Sequence, residues 1–374
     1  MTPPATPDPP DSAEQSPLSS FESMSIFPAG GLRRLHPAYF AMVMATGIVS
    51  IACELKGWGW VARALLAINA PAYAVLWVLT IARFALYRPA FVNDLMDHAR
   101  GVGFFTTIAA TCVLGSQFLV LFQATRAALF LWCIGVALWA ILTYTIFTLL
   151  TVRAEKPPLA QGLNGGWLVA IVAAQSVSIL GSQLAPSMDE FKEPMMFFSL
   201  IMWLGGGMLY IWIISLIFYR YTFFAMRPSD LAPPYWINMG AVAISTLAGT
   251  FLIENHDQSP VLGGMLAFLN GLTLLFWATA TWWIPMLVTL GIWRHGYKKF
   301  PLRYEPLYWG AVFPLGMYTA CTYRLSEALE IPFIRWIPEF FAYVALAAWS
   351  LTFIGLIHML LQTGMKIRGG LGRT

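Results

Sequence analysis

Residues 103–151 read GFFTTIAATCVLGSQFLVLFQATRAALFLWCIGVALWAILTYTIFTLLT, with Arg126 as the only charged side chain. Two apolar runs, 103–122 and 127–151, flank a short polar break. Each is long enough to carry a helix across a hydrocarbon core of ~30 Å. Inside lipid the backbone has no water to bond, so a spanning segment closes its hydrogen bonds within a helix. The stretch therefore predicts a transmembrane helical hairpin.

The pattern recurs in both directions. Apolar runs lie near 38–55, 60–86, 103–122, 127–151, 166–184, 195–221, 236–253, 262–291, 307–324 and 338–364, separated by breaks such as Arg88-Pro89, Lys156-Pro157-Pro158 and Arg227-Pro228-Ser229-Asp230. Hydrophobic residues make up 58% of the chain and charged residues 11%. A soluble domain carries about 25% charged residues, so this composition cannot clothe a water-facing surface. The fold class predicted is all-α and polytopic, with ten transmembrane helices in residues 33–365. Residues 1–32 are rich in proline and serine, hold Asp8, Asp11, Glu14 and Glu22, and lack the basic start and apolar core of a signal peptide. They predict a disordered cytoplasmic tail, and residues 366–374 a short basic one. Cys53, Cys112, Cys133 and Cys321 show no CxxC or metal-ligand spacing and read as packing residues.

Ten crossings put both termini on one side, which sorts the loops into two groups. Sixteen of the 22 basic residues fall in the group containing the termini; the other group holds Lys56, Arg63, Arg126, Lys192, Arg324 and Arg335. The positive-inside rule then places both termini in the cytoplasm, and the net charge of +4 has a topological explanation with no need for nucleic acid.

The segments alternate in character. Even-numbered ones carry Trp77, Trp132, Trp139, Trp203, Trp212, Trp277 and Trp349 within the span; odd ones have tryptophan only at their starts, as Trp167, Trp236 and Trp309. Bulky indoles suit an outer ring facing lipid or another subunit, whereas small residues let helices approach each other. The tetrapeptide Leu114-Gly115-Ser116-Gln117 returns as Leu180-Gly181-Ser182-Gln183, and the offset extends to Gly47, Gly115, Gly181, Gly249 and Gly316, one on each odd segment, with gaps of 68, 66, 68 and 67. Such a period fits five helical hairpins around a central pore with the odd helices inside. Close packing of helix pairs is the other reading of these glycines.

An ionisable group at mid-membrane is costly and is kept for transport, proton relay or catalysis. None lies at mid-depth on an odd segment: Glu54, Glu254, Arg324 and Glu327 sit at the ends away from the termini. Arg83 and His358, on even segments, read as snorkelling or satisfied polar contacts. Asp94, Asp97 and His98 read as a solvated loop, and the five histidines show no HxxxH spacing. No catalytic or metal site and no cofactor are expected. The odd segments offer neutral polarity instead, at Thr106, Gln175, Ser176, Ser245, Thr246 and Thr319. Such groups replace part of an ion's hydration shell without trapping it, and they also pack helices.

His36-Pro37-Ala38-Tyr39-Phe40 leading into Met44-Ala45-Thr46-Gly47, Gly103-Phe104-Phe105-Thr106-Thr107, Asn164-Gly165-Gly166-Trp167 through Gln175-Ser176, and Trp309-Gly310-Ala311-Val312-Phe313-Pro314-Leu315-Gly316 occur in that order. In them the chain resembles the tellurite-resistance/dicarboxylate transporter family, which includes plant slow anion channels, yeast malate permeases and sulfite exporters. The resemblance implies a homotrimer with one pore per subunit, lined by odd helices and ringed by even ones. It also implies a phenylalanine plug from the ninth helix, matched by Phe313, beside a kink at Pro314; packing is the competing role for Phe313. The expected function is a passive channel or uniporter for small anions in the plasma membrane, which would be the inner membrane in a bacterium. The alternative is a C4-dicarboxylate carrier of the malate type, and a membrane enzyme is disfavoured.

Overall fold

The computed structural model describes residues 31–302 and 304–371. Within them run ten long helices: α1 Ala41–Leu55, α2 Gly59–Leu86, α3 Phe105–Phe122, α4 Thr125–Val152, α5 Val169–Leu184, α6 Lys192–Phe223, α7 Ile237–Glu254, α8 Leu266–Ile292, α9 Trp309–Ala328 and α10 Trp336–Leu371. The apolar runs predict these elements to within four residues, save that α10 ends seven residues beyond its run. Most of the expected N-terminal tail, residues 1–30, lies outside the described residues, as does the C-terminal end from 372. Gly31–Arg34 forms a 3-10 turn, and α10 runs on to Leu371, into the segment expected as a basic tail.

Each odd helix is entered through a 3-10 turn: Pro37–Phe40, Gly101–Phe104, Gly165–Leu168, Pro233–Trp236 and Pro306–Tyr308. Local chemistry accounts for these starts. Proline suits a first turn, where its missing N–H has no partner to lose. At two of them a side chain caps a free N–H, His36 Nδ1 accepting from Ala38 N at 3.1 Å and Asn164 Oδ1 from Gly166 N at 2.8 Å. At the opposite end the α1–α2 hairpin turns in three residues, where Gly57 adopts φ +85°, a region open to glycine and strained for other residues.

The odd helices close a ring, with α1 against α3, α3 against α5, α5 against α7, α7 against α9 and α9 against α1. Each even helix packs on its hairpin partner and on the next odd helix around, so it fills the outer groove between two inner helices. The burial follows. The α1, α3, α5 and α7 spans are 72–94% buried, and the α2, α4, α6, α8 and α10 spans 22–44%.

Nine helices among the described residues are long and apolar enough to cross a membrane. The exception is α9, whose 20 residues include Pro314, two glycines, Arg324 and Glu327. Its place in the ring explains its tolerance for polarity: α1, α7 and α10 cover it, so little of it meets lipid.

The tryptophans require a correction. They do sit on the outer helices, but most point inward. Trp132 Nε1 donates to Val177 O at 3.1 Å, Trp203 Nε1 to Ser245 O at 2.8 Å, Trp277 Nε1 to Thr322 Oγ1 at 3.0 Å and Trp349 Nε1 to Thr46 Oγ1 at 2.9 Å. Each bond ties an even helix to the next odd helix in the ring. Of the seven, only Trp212 is well exposed, at 59%. An indole in hydrocarbon needs a partner for its N–H, and the groove between two inner helices supplies one.

Candidate functional site

Two cavities lie inside the ring, each touching all five odd helices. The first has a volume of ≈ 260 Å³ and is walled by the N-terminal turns: His36, Ala41 and Met44 before and on α1, Arg100, Gly103 and Thr106 at α3, Asn164, Gly166 and Val169 at α5, Pro234, Tyr235 and Ile237 at α7, and Leu307 and Gly310 at α9. The second, ≈ 30 Å³, is lined in the C-terminal halves by three residues from each inner helix. They recur at helical spacing, as Ile48, Ile51 and Leu55 on α1 and Met317, Ala320 and Arg324 on α9.

Between the cavities the lining stops for two turns on four of the helices, roughly 10 Å at 1.5 Å per residue. The positions one turn beyond the first cavity are Ala109 and Ala110 on α3, Val172 and Ala173 on α5, Gly240 and Ala241 on α7, and Phe313 and Pro314 on α9. All are small or medium except Phe313, which is wholly buried. Pro314 faces α7, because a Cβ on Gly240 would lie 2.7 Å from its Cγ.

The five repeating glycines lie outside both linings and mark helix contacts. A Cβ on Gly47 would come within 2.6 Å of Val113, one on Gly115 within 2.5 Å of Leu180, and one on Gly316 within 3.0 Å of Ile48 and Val49. Gly181 meets Ser199 and Trp132, and Gly249 meets Thr273. The polar candidates divide. Thr106 lines the first cavity and Ser176 the second. Gln175 turns outward to α6, its Nε2 donating to Trp203 O at 3.0 Å. The hydroxyls of Ser245, Thr246 and Thr319 bond to carbonyls one turn back, on Ala241, Val242 and Leu315.

The expected neutral polar lining is thus largely apolar, and the missed features are charges at its ends. The reading of Asp94 as part of a solvated loop is corrected: it is buried, and it bonds Arg83 Nη2 at 2.7 Å and Arg100 Nε at 2.8 Å. Arg83 also donates to Arg33 O, a satisfied contact as its position suggested. One carboxylate between two guanidiniums leaves a net positive charge beside the first cavity. Burial, together with the Arg100 charge, pushes His36 down to about 3, so it is neutral at physiological pH. Since Nδ1 accepts from Ala38, its proton sits on Nε2. Only the fold could reveal these partners, because Asp94 and Arg100 look like ordinary loop residues in the sequence.

The voltage-dependent anion channel family (SLAC1) matches residues 34–357. An uncharacterized membrane protein of Mycobacterium tuberculosis is 44% identical over 157 residues, covering 41% of this chain and 78% of that protein. An uncharacterized transporter of Methanocaldococcus jannaschii is 24% identical over 90% of this chain and 96% of its own length. A sulfite efflux pump, SSU1 of Arthroderma benhamiae, is 21% identical over 86% of this chain and 90% of the pump.

Proposed function

The chain belongs to the voltage-dependent anion channel family, a family of membrane anion channels and transporters and not of enzymes, and on that premise we propose that it is a passive pathway for small anions closed at Phe313. The observation that carries this reading is the pair of cavities on the axis of one closed ring, interrupted where α9 presents a phenylalanine among small residues. A ring in a narrow apolar tube blocks both by bulk and by dewetting.

Anion selectivity has a physical source in this arrangement. Five parallel helices aim their N-termini at the first cavity, and each terminus carries about half a positive charge. Arg100 adds a guanidinium only partly neutralised by Asp94. In this reading all ten helices cross the membrane, α9 carried inside the ring. Both termini face the cytoplasm of a plasma membrane, as the basic-residue asymmetry suggests, and the assembly is the homotrimer that the resemblance implies.

The test is a flux assay in proteoliposomes across chloride, nitrate, sulfite and malate, with and without a proton gradient. A passive pathway equilibrates each permeant anion whatever the proton gradient. Accumulation of malate against its own gradient, driven by protons, would replace this reading with the carrier.

A further inference from the structure

We propose that Arg324 forms an anion-binding station in the second cavity, at the end of the ring away from the termini, and that it sets apparent affinity and charge selectivity there. The proposal rests on the anion-pathway reading and adds a site to it. Of the fifteen residues around this cavity, eleven are apolar and four are Ser116, Ser176, Gln183 and Arg324. Arg324 is the only charged one among them.

Its side-chain donors make no hydrogen bond among the described residues. The nearest carboxylates are Glu327 at 3.8 Å and Glu254 at 3.9 Å, beyond hydrogen-bond reach. The Phe251 ring lies 5.5 Å from its guanidinium carbon. A guanidinium carries five N–H donors, and leaving them unpaired beside an apolar wall is costly unless water or an anion takes them. Across the cavity, Ser116 Oγ donates to Gln183 Oε1 at 2.7 Å. That bond fixes the amide so that the Gln183 Nε2 donors remain free. The cavity thus offers a cation on one wall and an amide N–H on another, with no acceptor strong enough to hold a cation on its lining.

The volume of ≈ 30 Å³ holds roughly two water-sized positions. That suits a halide or a small oxyanion and is too small for a four-carbon diacid in this conformation. Arg335 Nη2 bonds Glu327 Oε1 at 3.3 Å, so Arg324 and Arg335 balance Glu254 and Glu327 in charge; the attraction at Arg324 is modest, which lets a bound anion leave. A station that binds weakly and releases is what conduction needs.

Chloride flux and reversal potential, read against chloride concentration for the parent, Arg324→Gln and Glu254→Gln, test this. Arg324→Gln should raise the half-saturating chloride concentration about fivefold, the effect of one screened charge at contact distance. It should also move the reversal potential toward loss of anion preference. Glu254→Gln should lower the half-saturating concentration. A folded Arg324→Gln protein that matches the parent in both readouts overturns the station. If that variant does not fold, Glu254→Gln decides: a lowered value supports the station, and an unchanged or raised value overturns it. A parent that carries no anion would instead sink the anion-pathway reading itself, so the two failures are distinguishable.

Discussion

Asp94 joins Arg83 on α2 to Arg100 at the mouth of α3, and both side chains of the Arg83–Asp94 pair are nearly withdrawn from solvent. Removing Arg83 takes one charge-assisted bond from a buried carboxylate that Arg100 still holds. Arg83→Met should therefore cost about 2 kcal/mol, visible as a lower thermal midpoint in detergent; a midpoint equal to the parent's would mean that Arg100 alone satisfies Asp94. His36 gives a second prediction, with a definite sign. Folded, it stays neutral down to about pH 3; unfolded, it takes a proton near 6.5. Between those values the unfolded chain binds more protons, so this residue's contribution to stability falls as pH drops. His36→Gln should lose less stability than the parent between pH 7.5 and 5, as read by thermal unfolding at both. At this scale the sequence was only half legible. Arg83 announced a satisfied contact because a cation in an apolar run needs one. Asp94 did not, because its neighbours Asp97 and His98 make it look like loop, and its burial depends on a partner that the fold alone supplies.

The helices themselves were legible, since an apolar run of membrane length has few other structures open to it. Which face each helix turns inward was not. Tryptophan content assigned the even helices to the outside but could not say that Trp132, Trp203, Trp277 and Trp349 point back at the ring. In an apolar helix within lipid, buried and exposed faces have similar composition. The inward indoles predict that Trp203→Phe lowers stability by about 1 kcal/mol, since the indole bond that ties α6 to Ser245 O on α7 is then lost. Steady unfolding by mixed micelles would measure it, and no change would demote the bond to an incidental contact. The α7–α9 contact makes a further prediction. Gly240→Ala puts a Cβ against the rigid Pro314 ring, which has no flexible end to move aside. It should displace α9 beside Phe313 and change anion flux, whereas Gly316→Ala, whose nearest atoms on Ile48 and Val49 lie at 3.0 Å and not 2.7 Å, should change it less. Equal flux in both variants would disconnect the α7–α9 contact from conduction.

Across the whole molecule, the 67-residue rhythm of Gly47, Gly115, Gly181, Gly249 and Gly316 corresponds to five hairpins whose inner helices close on themselves. The glycines serve that closure by letting helices approach, and the cavities belong to other residues. The lining of the second cavity escaped notice because its apolar stripe repeats every three or four residues, as any helix–helix contact does. Charge at both ends of the ring, from Arg100 and Arg324, was counted in the sequence only as topology. The central claim is that anions cross along the ring axis and that Phe313 closes the way. Its most direct test is current through a planar bilayer holding the purified protein in a chloride gradient, parent beside Phe313→Ala. The account predicts a conductance at least several-fold larger in Phe313→Ala, with a reversal potential that still marks chloride as the permeant ion. A conductance equal to the parent's, from a folded variant, would contradict it.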